Sequence, residues 1–219
     1  MKIIAHIPAR AGSQRLKRKN LKIINKKPLI YYSIKNLFKS KIKDFYVNTD
    51  SNEIAKVAKK LKCKVYMREK SLANDFATSD EFNYDFIKNN HSDITVMINP
   101  ICPLISHFDI NNALKKFLKS DLDTLISVEE VTMQTFYGKK PININLNQKL
   151  QPSQNNKKIF ICNWAIAIWD SHKFIKSYEK HGFAVWGKKR DFFVLEKEKS
   201  IKISNESDFQ IAKKFLTRR

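Results

Sequence analysis

Four glycines in 219 residues, at positions 12, 138, 182 and 187, leave no room for a glycine-rich phosphate loop: neither G-x-x-x-x-G-K-[ST] nor G-x-G-x-x-G occurs. Cysteine is as scarce. Cys63, Cys102 and Cys162 are widely separated, odd in number and without a C-x-x-C pair, which excludes a disulfide framework or zinc knuckle and predicts buried small hydrophobes. No run of about 18 apolar residues occurs. The opening MKIIAHIPAR is too short in apolar residues for a signal sequence, so a cytoplasmic protein without a membrane segment is expected. Acidic residues are in deficit, 21 Asp and Glu against 42 Lys and Arg, a net charge of +21 that suits polyanionic partners. Yet the cations spread along the chain, as in KKLKCK, NALKKFLKS and KKFLTRR, without the interleaved aromatics of single-strand binders. AT-rich coding alone would give this excess of Lys, Asn, Ile and Phe over Gly and Pro. Nucleic acid is not the expected partner.

What is present is an alternation of two periods. Residues 2–7, 44–48, 64–67, 94–98 and 122–128 read as strands, the first a nearly continuous apolar run of the kind a parallel sheet buries on both faces. Helical patterns lie between them at 28–40, where Pro28 suits a first turn, and at 51–62, 79–90 and 107–120. Strand and helix alternating in this way predict an α/β fold, a doubly wound and mainly parallel sheet with helices on both faces. The rhythm breaks at about 129–160, where two prolines, many amides and short alternating apolar positions predict a small β-rich, hairpin-bearing insertion. A strand at 160–169, a helix over SHKFIKSYEKH, and a strand leading into a terminal helix over SIKISNESDFQIAKKFLTRR complete a single domain spanning 1–219.

The residues after the first strand carry the chemistry. IPARAGSQRLKRKN, at 7–20, places Gly12 between Arg10 and the cations Arg15, Lys17, Arg18 and Lys19. In a doubly wound sheet this loop enters the crevice at the strand carboxyl ends. Gly12 would permit a conformation closed to other residues and a close main-chain approach to phosphate oxygens, while Arg10, Arg15 and Lys19 supply charge. Such a loop suits a polyphosphate; the same residues are also compatible with a solvated basic surface.

The ordering narrows the choice. IPARAGSQRLKRKN followed by LKIINKKPLIYYSI resembles the I-P-A-R-x-G-S-K-R-x-x-x-K-N signature of the acylneuraminate cytidylyltransferase family, whose members make CMP-sialic, CMP-legionaminic and CMP-pseudaminic acids. FYVNTDSNEIAKVAKKLKCKV is similar to that family's strand ending in S-T-D with the helix and strand that follow. MREKSLANDFATSDEF resembles its R-P-x-x-L-A-x-D-x-A-x-S segment, INPICPLIS its L-Q-P-T-S-P-L-R turn, and FICNWAIAIW its F-R-P-N-G-A-I-Y-I strand. The resemblance implies a nucleotidyltransferase of Rossmann-like fold that transfers CMP from CTP to a nonulosonic or related sugar acid with release of pyrophosphate.

By that resemblance Arg10, Gly12, Ser13, Gln14, Arg15, Lys19 and Asn20 would bind the triphosphate, and Arg68, Ala77 and Ser79 would surround cytosine and ribose. Asn99, Gln151 and Asn163 would face the anionic acceptor. Arg10, Lys19 and Lys202 would carry catalysis, with no general base identified: His6 reads as packed in the first strand, and His107, His172 and His181 as surface groups. Asp50 stands at the mouth of the crevice and is equally readable as a helix cap. The chain also departs from the pattern. The family's S-I-D-I-D-T-E-x-D-L reads SIKISNESDF here, so Lys202 and Ser204 occupy its two cation-binding aspartate positions, leaving no protein-held metal and only Mg²⁺ carried by CTP. Asp208 reads as a first-turn acid of the terminal helix. Ile105, Ile161 and Ser153 stand where relatives carry arginines on the acceptor side. The alternatives are a CTP-binding member that has lost catalysis and serves as a partner or regulator, and a basic nucleic-acid-binding module. Val131, Met133, Phe136 and Tyr137 have too little chain around them to be buried within the insertion, which predicts a homodimer or packing on the parent sheet.

Overall fold

The computed structural model describes residues 1–217. Along the chain run β1 (Ile3–Pro8), β2 (Ile23–Ile24), β3 (Lys27–Pro28), α1 (Ile30–Lys39), β4 (Asp44–Thr49), α2 (Asn52–Lys60), β5 (Lys64–Met67), α3 (Ser79–Asn89), β6 (Ile94–Ile98) and α4 (His107–Leu118). They continue with β7 (Thr124–Val131), β8 (Phe136–Tyr137), β9 (Lys140–Pro141), β10 (Ile159–Asp170), α5 (Ser171–His181), β11 (Arg190–Leu195) and α6 (Glu206–Thr217). Seven strands form one sheet in the order β11-β7-β10-β6-β1-β4-β5. Every pairing is parallel except those of β10, which runs antiparallel to both β6 and β7. Strand order reverses at β1, which lies between β4 and β6, so the crevice of this α/β sheet opens at the carboxyl end of β1.

The two-residue side-chain period divides the strands between two cores. Val96, Ile98, Ile166 and Ile168 face a cluster completed by Ile34 and Leu37 of α1, Ile54 and Ala58 of α2, and Ile110, Leu114 and Phe117 of α4. Met97, Ala167 and Trp169 face the opposite side and meet Ile87 of α3 and Phe174 of α5. Helix starts follow the sequence closely. Thr78 and Ser106 close capping boxes with Glu81 and Asp109, and Ser51 caps α2. Among the described residues no helix is long and apolar enough to cross a membrane.

A third cluster fixes the site. Phe209, Ala212 and Leu216, on one face of α6, pack on Leu16 of the first loop, Ile24, Leu29, Leu104 and Ile203. Burying Phe209 and Leu216 contributes about 1.5–3 kcal/mol each, and it pins the 201–204 segment beside the basic loop. Asp208 is in the first turn of α6, where its carboxylate accepts from the backbone N–H groups of Ser204 and Asn205 at 2.8 and 3.1 Å.

Three expectations are corrected. Pro28 belongs to the short β2–β3 pair rather than to a helical first turn, since it stands opposite Ile23, and α1 starts at Ile30. The strand expected at the start of SIKISNESDF is not in the sheet: Ile203 is spent on the α6 cluster, and its N–H donates to the Ile101 carbonyl at 2.8 Å. The missing edge strand is β11, paired with β7, whose half-exposed RDFFVL lacks an alternating pattern. Asp50 does not cap α2, because Ser51 does; its Oδ1 instead accepts the Ala11 N–H at 2.9 Å and ties the first loop to the end of β4. The 129–160 region carries the β8–β9 hairpin. Cys63 and Cys102 are buried, while Cys162 is only half-buried.

Candidate active site

The first loop leaves β1 with Ala9 donating to the Asn48 carbonyl at 2.9 Å, then crosses the carboxyl end of the sheet. Arg18, at φ 54°, turns it into a single 3-10 turn over Lys19–Leu21. A cavity of about 380 Å³ opens there, lined by Arg10, Ser13, Gln14, Arg15, Lys19, Asp75 and Ser204. Lys19 donates to the Ile203 carbonyl at 3.0 Å, so α6 and the loop share one anchor. Burial first, and then the charges of Arg15, Lys202 and Arg10, lower the Lys19 pKa. Arg10, Arg15 and Lys19 therefore converge on one pocket, and the positive charge around Lys19 favours an anion there. Burial pushes the nearby Cys102 thiol up to about 12, which leaves it an unreactive core residue.

One acid belongs to the same cavity. The segment after the 3-10 turn Lys70–Ala73 delivers Asp75, which pairs with Arg10 at 3.1 Å and accepts from Gln14 Nε2. Arg10 also donates to the Asn74 and Ala73 carbonyls at 2.6 and 3.3 Å. Asp75 lies within the segment MREKSLANDFATSDEF. Its partner lies far away in sequence, and nothing local marks the pair.

Other expected residues take different positions. Gly12 is not at positive φ, and a Cβ placed there would meet nothing within 4 Å, so the turn does not require glycine; Arg18 supplies the left-handed residue instead. Asn20 is 5% exposed and donates to the Arg10 carbonyl at 3.2 Å, bracing the loop from beneath. Arg68 is buried, its backbone N–H on the Thr49 carbonyl and its guanidinium 4.9 Å from the Phe82 ring. Desolvation lowers its pKa, and Asp50 partly offsets that, so Arg68 is tied to the crevice mouth. Ala77 donates to Asn74 Oδ1 at 2.8 Å and Ser79 starts α3, both on the chain that carries Asp75.

The acceptor-side residues are not gathered. Asn163 is 4% exposed, and its amide is spent inside the β10 irregularity: Oδ1 accepts from Ser127 Oγ and the Ala165 N–H, while Nδ2 donates to Ser200 Oγ. Asn99 borders that irregularity through its N–H on the Ala165 carbonyl at 3.0 Å. Gln151 lies within the insertion, on a cavity of about 460 Å³ that shares no residue with the basic pocket. Trp164 is at φ 60°; for so bulky a residue that conformation is held by its surroundings, including Trp186 at 5.2 Å between ring centroids.

The donor set does not fit the divalent cation that the resemblance implies. Lys202 offers an ammonium and Ser204 a hydroxyl, and the carboxylates at the crevice, Asp50 and Asp75, are engaged by Ala11, Arg10 and Gln14.

Comparison with known proteins gives this geometry a context. A family model described as Cytidylyltransferase matches residues 4–214. The chain is 28% identical to Post-translational flagellin modification protein B of Campylobacter coli, over 95% of this chain and 92% of that protein. It is 34% identical to Pseudaminic acid cytidylyltransferase of Campylobacter jejuni serotype O:2 across 59% of each chain. It is 32% identical to N-acylneuraminate cytidylyltransferase of Streptococcus agalactiae serotype V, and that match spans 60% of this chain but only about a third of the streptococcal protein's length. In fold the chain is similar to CMP:2-keto-3-deoxy-manno-octonic acid synthetase solved with CTP, with a TM-score of 0.75 at 13% identity, covering 100% of this chain and 99% of that one.

Proposed function

Since the chain belongs to the cytidylyltransferase family, we propose that it transfers CMP from CTP to a nonulosonic or related sugar acid for surface glycan synthesis. The observation that carries the reading is the basic cavity at the carboxyl end of β1, where Arg10, Arg15 and Lys19 converge on a space of triphosphate size. The Campylobacter and Streptococcus relatives, named for pseudaminic and N-acylneuraminic acid, suggest the acceptor class.

In this reading an acceptor hydroxyl attacks the α-phosphorus of CTP. The bond from the α-phosphorus to the bridging oxygen breaks, pyrophosphate departs with that electron pair, and the hydroxyl proton passes to solvent. Arg10 and Arg15 supply forked donors to the phosphate oxygens, and Lys19 and Lys202 supply point charges. Catalysis rests on holding the triphosphate still and on stabilising charge that grows on the leaving group. Any Mg²⁺ would arrive bound to the triphosphate of CTP, where it would neutralise phosphate charge beside Arg10, Arg15 and Lys19. Arg68 and the Ala77–Ser79 segment are assigned to cytosine and ribose, and Asn99 to the acceptor side.

A homodimer completes the proposal. Met133, Phe136, Tyr137, Leu146 and Leu150 in the insertion are 45–80% exposed, a concentration of apolar surface that a second copy would cover. CTP-dependent pyrophosphate release, measured with a panel of sugar acids including N-acetylneuraminic and pseudaminic acid, tests the activity. Release with none of them would overturn it.

A further inference from the structure

A second cavity, of about 340 Å³, lies at the other end of the sheet, where β7 begins, β10 ends and α5 passes over them. It shares no residue with the basic crevice. Its floor is apolar: Trp169, Phe174 and Ala184 are all at most 3% exposed. The Trp169 indole N–H is fixed on the Val185 carbonyl at 2.9 Å, so the ring cannot swing to fill the space.

The polar side of the cavity is unbalanced. Lys176 and Lys180 stand one turn apart on α5, and Lys188 approaches from the 182–189 loop. Among the described residues no carboxylate pairs with any of these three ammonium groups. The one acid in the lining, Asp123, is already engaged by Lys173 at 3.0 Å and by the backbone N–H groups of Lys188 and Lys189 at 3.0 and 3.1 Å. At the inner end is Thr124, fully buried, whose Oγ1 has no hydrogen-bond partner. An unpartnered buried hydroxyl is costly, and it is unusual unless something it can donate to shares the space. Gly187 lies directly against it at φ 57°, where a Cβ would come within 2.5 Å of Thr124 Oγ1, so glycine is what lets the loop approach that hydroxyl so closely.

We propose that this cavity is a second ligand site, for a small organic anion with an apolar body and one phosphate or carboxylate group. The apolar body would lie on Trp169 and Phe174, the anionic group would sit among Lys176, Lys180 and Lys188, and Thr124 would donate to it. The volume is at the low end for small-molecule sites, enough for a ring and one anionic group but not a nucleotide triphosphate. The site is independent of the cytidylyltransferase reading, because it lies at the opposite end of the strands.

Phenyl phosphate is the probe. Titration into the full chain, followed by the Trp169 indole and Gly187 amide resonances, should give saturable shifts that weaken with salt. Lys176→Gln with Lys180→Gln should raise the Kd about tenfold or more, and Thr124→Val roughly three- to tenfold, while CTP affinity stays unchanged. Inorganic phosphate should bind more weakly than phenyl phosphate, because it lacks the apolar body. The lysine pair is on the surface, so that variant reports on binding even if Thr124→Val fails to fold. Absence of saturation, equal affinity in the lysine variant, or displacement of phenyl phosphate by CTP would each overturn the proposal.

Discussion

Arg10 and Asp75 form an ion pair at 3.1 Å across the basic cavity, and the same guanidinium donates to the Asn74 carbonyl at 2.6 Å. The carboxylate thus occupies one of the forked donor positions that a phosphate would use. Arg10→Ala should weaken CTP by the value of a charged hydrogen bond, about 1.5–3 kcal/mol, or roughly ten- to a hundredfold. Calorimetry on the folded variant measures it, and unchanged affinity would remove the contact.

Asp75→Asn should act in the opposite direction. Both partners are substantially exposed, so solvent screening limits the effect to about 0.5–1 kcal/mol, a two- to fivefold gain in affinity for CTP and for inorganic tripolyphosphate. A loss of affinity for both would mean that Asp75 orders Arg10 instead of competing for it.

His6 gives the protein an acid-sensitive core. It is fully buried in β1, stacked on Phe86 at 4.3 Å between centroids, and burial first, then the Arg68 charge, lower its pKa to about 3. An imidazole whose folded pKa lies below its unfolded value near 6.5 is protonated first in the unfolded chain. Its contribution is present above about pH 6.5 and is lost as pH falls toward 3, at up to about 1.4 kcal/mol per unit. His6→Leu should flatten that part of the acid arm in urea melts taken from pH 7 to pH 4. Parallel slopes in the two proteins would contradict the assignment.

The exposed insertion predicts an assembly that can be broken. Phe136 and Tyr137 are 45% and 80% exposed on the β8–β9 hairpin. At micromolar concentration light scattering should give twice the chain mass, and Phe136→Asp with Tyr137→Asp should return it to the monomer value without changing the circular dichroism spectrum. A monomer mass for the wild type would count against the dimer.

The features that the sequence displayed best were local ones. Ser51, Thr78 and Ser106 each precede a helix as capping residues, and the order of cations after β1 marked the crevice without any glycine-rich motif. What escaped was decided by distant contacts. SIKIS alternates like a strand, but Ile203 is claimed by Phe209 and Leu216, so its backbone never joins the sheet. RDFFVL lies at the sheet edge, where partial exposure blurs the period that would have marked β11. Motif position alone does not reveal that Asn20 and Asn163 are buried and bonded to Arg10, Ser127 and Ser200, contacts that only the fold brings together. No short window of sequence contains both Arg10 and Asp75.

The clearest departure from the family pattern, at Lys202 and Ser204, yields the last prediction. Ile203 packs into the α6 cluster, and its two neighbours in sequence, Lys202 and Ser204, flank it beside the basic loop. Ser204 lines the basic cavity, and the Lys202 charge reaches Lys19 strongly enough to help lower its pKa. Lys202 therefore supplies positive charge at the position where the resemblance expects a carboxylate holding a cation. CTP affinity should depend only weakly on Mg²⁺ in the wild type. Lys202→Ala should reduce turnover by about tenfold or more if the ammonium stabilises the leaving pyrophosphate, an electrostatic contribution of ordinary size for such a group. Lys202→Asp with Ser204→Asp removes that charge and adds two carboxylates two residues apart beside the triphosphate loop, ligands of the kind a hard divalent cation takes. Calorimetry should then show CTP binding that is weak in chelator and restored by Mg²⁺. If the folded double variant gains no Mg²⁺ dependence, residues 202 and 204 do not converge on the triphosphate, and the role given to Lys202 fails with them.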